Sequence, residues 1–171
     1  MWGSVRMLEL KMSDIPWWAL QGAYGASARV PSILKDLVAD DEETRSEAIR
    51  DGLFAHITQA ETVYPVTPYA VYFVGRLLDH PKCVVQRELL RFLRACAEQD
   101  GQILSSSPLH SVLRQLRGIP RVSIRASIMA NRDRFGAFAA DEDEGARADA
   151  AWLTAYCAGL APATHAVASA E

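Results

Sequence analysis

The sequence predicts an all-α domain built from stacked helix pairs, and three observations predict it. Thr62 to Leu78 carries an almost unbroken apolar run (Tyr69, Ala70, Val71, Tyr72, Phe73, Val74, Leu77, Leu78) with almost no polar face. A helix of that kind must be covered on several sides, so it reads as the buried centre of the fold. Lys82 to Gln99 is two-faced, with Val85, Leu89, Phe92, Leu93 and Cys96 opposite Arg87, Arg91, Arg94 and Glu98. Helix-start signals also return at a regular interval, thirty-seven residues from Pro31 to Pro68 and forty from Asp41 to Pro81, near the period of α-solenoids. No segment alternates apolar and polar residues between two turn signals, so no strand competes.

In chain order, the first dozen residues are a frayed segment or a short strand. Ser13-Asp14-Ile15-Pro16 reads as a helix start, with Trp17, Trp18 and Leu20 as a bulky apolar cap; adjacent tryptophans seal a core end more often than they stack on a ligand. Gly22 to Gly25 is a turn. A short helix follows near Ala28 to Val38, with Pro31 at its start and Val30, Ile33, Leu34 and Leu37 at helical spacing. Asp40 to Glu43 caps a helix running to about Gln59, with Ile49, Leu53, Ile57 and Ala60 on one stripe and His56 at its edge. The central helix comes next, entered through Pro65 and Pro68.

Asp79-His80-Pro81 turns the chain into the amphipathic helix 82–99, which Asp100-Gly101 ends. Ser105 to Pro108 is an inserted loop before a short helix from Leu109 to Arg117. One further helix is expected from about Val122 to Phe138 and another from Glu142 to Leu160, with Ala146, Ala150, Leu153 and Cys157 inward. The expected organisation is a single domain over residues 1–160 and a flexible tail over 161–171.

Composition fits one globular domain. At 171 residues the chain can bury roughly 70% of the surface its unfolded form exposes. Half the residues are hydrophobic and 23% charged, which excludes general disorder. The net charge of -3 implies no partner, but its distribution does. Residues 35–61 hold eight acids against three bases, whereas residues 76–134 hold eleven bases against five acids. Such a dipole can steer an acidic partner. Three scattered cysteines make no disulfide framework. The first residues lack a signal-peptide core, and no run approaches the roughly 20 apolar residues of a membrane span. A cytoplasmic location with reduced thiols and no membrane contact is expected.

The segments Trp18-Ala19-Leu20-Gln21-Gly22-Ala23-Tyr24-Gly25, Val30-Pro31-Ser32-Ile33-Leu34 and Thr62-Val63-Tyr64-Pro65-Val66-Thr67-Pro68-Tyr69-Ala70-Val71 resemble the bacterial HEAT-repeat proteins common in actinobacteria. In these a tryptophan and an Ala-Tyr-Gly turn precede the first helix pair, and a Thr-Val-Tyr segment opens the second. The resemblance spans about Trp17 to Gln99. The chain departs from it by stopping early, by the serine-proline insertion, and by Ala60-Glu61 where a small polar-glycine turn is expected. It implies a short right-handed α-solenoid of about three HEAT-like helix pairs that binds proteins, and some small bacterial solenoids are immunity proteins that block a toxin. It carries over no catalytic residues.

A direct search for chemistry finds little. There is no phosphate-cradling glycine loop, no His-Glu-x-x-His, no Cys-x-x-Cys and no nucleophile elbow. His80 and Cys83 are spaced for a metal, but no second pair joins them, so no metal and no cofactor is expected. Tyr64, Tyr69 and Tyr72 read as packing residues rather than a stacking platform, and His56 as a core or groove residue rather than a ligand. The arginine face remains. A charged helix face is usually only solvated, yet the second helix of each solenoid pair lines the concave surface, and Arg87, Arg91 and Arg94 fall on such a helix.

The expectation is therefore a non-catalytic protein-binding module, an immunity or inhibitor protein. It grips an acidic protein surface with Arg87, Arg91, Arg94, Arg125 and Arg132 and acts by steric occlusion. The alternative is a nucleic-acid-binding HEAT-like protein related in fold to DNA glycosylases, which overall acidity and acidic outer helix pairs disfavour. A lyase acting on a protein-bound pigment rests on fold analogy alone.

Overall fold

The computed structural model describes residues 8–60, 62–100 and 121–160. The loop Ser105 to Pro108, the helix expected over Leu109 to Arg117 and the tail 161–171 lie outside the described residues. Within them the chain is mostly helical, as the apolar periodicity predicts. No helix among the described residues is long and apolar enough to cross a membrane.

The helix expected after Ser13-Asp14-Ile15-Pro16 does not form. A single 3-10 turn, Met12–Asp14, occupies its start. Trp17 is buried, its indole Nε1 donating to the Met12 carbonyl at 3.0 Å, whereas Trp18 is 64% exposed. Only one of the two tryptophans seals the core. The Gly22 to Gly25 turn closes a two-residue hairpin, β1 (Gln21–Gly22) against β2 (Gly25–Ala26). Gly25 has φ +99°, which L side chains rarely adopt. A second hairpin pairs β3 (Thr58–Gln59) with β4 (Thr62–Val63). Both ladders are too short to show alternation in sequence.

Helix α1 (Val30–Asp36) begins on Pro31 and buries Val30, Ile33 and Leu34. Helix α2 (Glu42–Glu47) is capped by Asp41, whose carboxylate accepts from the Thr44 N–H at 2.8 Å. The chain then widens into a π-helix over Ala48–Ile57, which stops short of the expected end at Gln59. Gly52 faces Ile33 so closely that a Cβ would overlap the isoleucine side chain. The Thr58 hydroxyl donates to the Leu53 carbonyl at 3.1 Å at the end of the helix. Ala60, expected on the inner stripe, instead forms the exposed bend between β3 and β4 with φ +46°.

Helix α3 (Thr67–Leu77) is the central element, burying Tyr69, Ala70, Val71, Tyr72 and Val74. Thr67 ties it to the π-helix, its hydroxyl donating to the Ile57 carbonyl at 2.9 Å and accepting from the Tyr64 N–H. Tyr72 is fully buried; its hydroxyl accepts from Leu10 N–H at 3.2 Å and from Arg76 at 2.9 Å.

Helix α4 (Gln86–Glu98) starts four residues later than expected, because Lys82 to Val85 is taken up by a turn. In that turn His80 Nδ1 accepts from the Lys82 N–H, and Cys83 is buried. No three His, Cys, Asp or Glu side chains among the described residues gather as a metal site.

The helix expected over Val122 to Phe138 is broken into α5 (Ile124–Met129), α6 (Arg132–Phe135) and a 3-10 turn, Gly136–Phe138. Asn131 causes the break. Its side-chain amide donates to the Ser127 carbonyl at 2.9 Å and to the Tyr72 carbonyl of α3 at 3.1 Å, while its own N–H goes to Ile128. The helical ladder gives way there to a contact between helices. The last helix, α7 (Glu144–Cys157), is capped by Asp143, which accepts from the Ala146 N–H at 2.8 Å.

Packing is pairwise and then layered. Helix α1 packs on the π-helix, α3 on α4, and α5 on α7. The leading helices also touch in order, α1 to α3 to α5, as do the following ones, the π-helix to α4 to α7. A contiguous set of buried side chains runs through all of them.

Candidate functional site

The amphipathic pattern of α4 sets the site. Leu89, Phe92, Leu93 and Cys96 are buried on its inner side. With 3.6 residues per turn, Arg87, Arg91 and Arg94 must then share the outer side. What that pattern does not reveal is that α7, packed alongside, brings its own carboxylates to the same place. Arg87 pairs with Asp143 at 3.1 Å, an exposed contact on both sides. Arg94 is held harder, donating to Glu98 one turn on and to Asp149 of α7, each at 3.0 Å. Burial alone would lower the Arg94 guanidinium pKa; its two carboxylate partners outweigh that and hold it above the ordinary arginine value.

Arg94 also lies 5.3 Å over the Trp152 ring. Trp152 stacks on Tyr156 at 5.4 Å and 14°, and Arg125 covers Tyr156 at 5.0 Å. The result is a ladder of arginine, indole, phenol and arginine crossing α7. Tyr156 ends it by donating to Asp100 at 2.8 Å; burial and that carboxylate push its pKa well up.

Arg91 differs. It has no carboxylate partner among the described residues; its guanidinium is 5.8 Å over the Phe54 ring. Phe54 meets Phe92 edge-on at 5.5 Å, so the arginine rests on a rigid aromatic corner. Beside it opens a cleft of about 420 Å³ between the π-helix, the second hairpin and α4. Phe54, Val63 and Cys96 give its apolar lining, and Arg91 and Arg94 line it together with the carboxylates of Glu98 and Asp149. Burial pushes the Cys96 thiol pKa far up, so it contributes as an apolar group.

The remaining predicted residues fall elsewhere. Arg125 belongs to the ladder. Arg132 is exposed and pairs loosely with its neighbour Asp133 at 3.6 Å. Both act electrostatically on Cys157, whose thiol pKa burial raises despite them. The five arginines are thus a face on α4 and a separate group at the end of α7, linked by the aromatic ladder. Of the three tyrosines weighed as a stacking platform, Tyr69 and Tyr72 are buried and Tyr64 half-buried. His56 is half-buried beside Arg29 in the groove between α1 and the π-helix, its ring 6.3 Å from that of Tyr24.

Asp143, Asp149, Phe54 and Trp152 shape the arginine face and were not legible as functional positions. Arg94 and Asp149 lie fifty-five residues apart, and no local signal links them. Compared with family models, curated proteins and solved structures, the chain matches none.

Proposed function

We propose that this chain is a non-catalytic protein-binding module, a short HEAT-like α-solenoid that occludes an acidic surface of a partner protein, as an immunity or inhibitor protein does. The layered contacts, leading helices on leading helices and following helices on following helices, support the solenoid reading. One observation carries the binding reading: Arg91 is exposed and has no carboxylate partner among the described residues, on a rigid aromatic corner, between two arginines already held in place. A preorganised cation that loses little entropy on docking suits an acidic partner. The internal pairing of Arg87 and Arg94 weighs against a phosphate groove, which wants several unpaired cations in a row.

The test is photo-crosslinking in cells of the source organism, with p-benzoylphenylalanine replacing Arg91, and separately replacing the exposed Arg50 of the π-helix as control. One dominant protein adduct at position 91, absent at 50 and lost when Arg87→Glu is added, is the expected result. No adduct at position 91, or the same adducts at both positions, overturns the reading. In parallel, the purified chain is expected to show no binding to random duplex DNA at low salt. Tight binding that falls steeply between low and physiological salt would establish the nucleic-acid alternative instead.

A further inference from the structure

We infer that the first hairpin, β1–β2, is a latch held shut over the end of the π-helix by neutral His56, and that acidification releases it. The latch stands apart from the arginine face. It is tethered at few points. The Ala23 N–H donates to the His56 carbonyl at 2.9 Å, the Val66 N–H to the Gln21 carbonyl at 3.1 Å, and the Gln59 side-chain amide to the Tyr24 hydroxyl at 3.1 Å. Its seat fits closely, since a Cβ on Gly22 would stand only 2.8 Å from that same His56 carbonyl. Gly22 also lies against Val66, which is fully buried, so the latch covers the entry to α3. The Tyr24 ring stacks on the His56 ring, yet Tyr24 is itself exposed.

The His56 ring is seated to stay neutral while the hairpin is down. Its Nε2 is shut off from water and has no hydrogen-bond partner, so protonating both nitrogens would bury an N–H with no acceptor. The groups around it are Tyr24 from the hairpin, Arg29 before α1, Asp36 of α1, Glu47 of α2 and Asp51 of the π-helix itself. Asp51 is engaged by Arg50 at 3.0 Å, and no carboxylate among the described residues forms an ion pair with the ring. Burial, and then the charge of Arg29, oppose the imidazolium. Once the hairpin lifts, water reaches the ring, which then takes up a proton near the ordinary histidine pKa of about 6.5. Docking is therefore at full strength above that pH and weakens as pH falls through it.

The experiment is amide hydrogen exchange of the isotope-labelled full chain, read by NMR as protection factors between about pH 7.5 and 5.5. The Ala23 and Val66 amides should lose about tenfold in protection, the factor for a ring of pKa about 6.5 that protonates only in the open form. Leu93 of α4 should change less than about twofold, as should Ala23 in His56→Gln, whereas His80→Gln should keep the tenfold loss at Ala23. The His56 Cε1–H resonance should titrate with a midpoint below about 6.5. Constant protection of Ala23 overturns the inference, as does an equal loss at Leu93, which is global unfolding. Persistence of the loss in His56→Gln, or its absence in His80→Gln, overturns it too. Where His56→Gln does not fold, the ring resonance decides, since a midpoint at or above about 6.5 means that the closed hairpin does not oppose the proton.

Discussion

The leading helices and the following helices are held together by different chemistry. Between α3 and α5 the contacts are buried and neutral. The Ser127 hydroxyl donates to the Pro68 carbonyl at 2.6 Å, and Asn131 donates to the Tyr72 carbonyl while lying against Gly75. Between α4 and α7 a shared apolar seam is edged by charge, with Arg87 on Asp143 and Arg94 on Asp149 and Trp152. Water competes weakly for the first set and strongly for the second. Both layers bury apolar side chains, but only the charged edge of the second can exchange partners at modest cost.

The largest effect that would break this contrast is expected at Gly75. A Cβ there overlaps the Asn131 side chain, so Gly75→Ala must displace an amide that satisfies two carbonyls. A loss of about 3 kcal/mol in urea unfolding is expected, the sum of overpacking and a broken buried hydrogen bond, and 1 M salt should not change it. A cost under about 1 kcal/mol would show that the layer is softer than its contacts suggest.

Along the charged edge the effects are smaller and ordered by exposure. Asp149→Asn should cost about 1 kcal/mol, and 1 M salt should shrink that cost, because the Debye length falls to about 3 Å. Asp143→Ala should cost a similar amount, through the lost helix cap rather than the ion pair. Arg87→Ala, which removes only the pair, should then be nearly silent. An Arg87 effect as large as that of Asp143 would overturn this division.

The smallest effect is a pH dependence on the first helix pair. Burial, helped by the charge of Arg29, holds the His56 pKa below the ordinary histidine value. The unfolded chain therefore binds the proton more readily. This contribution is fully present above the unfolded histidine pKa of about 6.5 and is lost as pH falls below it. His56→Gln should flatten the slope of stability against pH between 5 and 7; an unchanged slope would assign it to other groups.

What could be read in advance followed from local periodicity. The burial of α3 was visible because it lacks a wet face, and the register of α4 because its two faces separate cleanly. The Asp41 cap and the Pro31 start are local signals too, and both hold. What was not legible depends on distant partners. Asn131 looks like one polar residue in a helical pattern until Tyr72 offers it a carbonyl from another helix. Trp18 cannot be told from Trp17 without knowing which way the turn faces. The ion pairs that join the arginine face to α7 link residues more than fifty positions apart. Only the departure at Ala60-Glu61 pointed to a local irregularity, and Ala60 is where the backbone turns left-handed.

The stacked pair Trp152 and Tyr156, lying between two guanidinium groups, gives the molecule an intrinsic optical gauge. An indole's emission responds to a cation over its face, and Arg94, which covers Trp152, lies one turn of α4 from Arg91. Occupation of the following-helix layer should thus register as a change in colour or brightness from a chromophore that touches no visitor, with no dye attached.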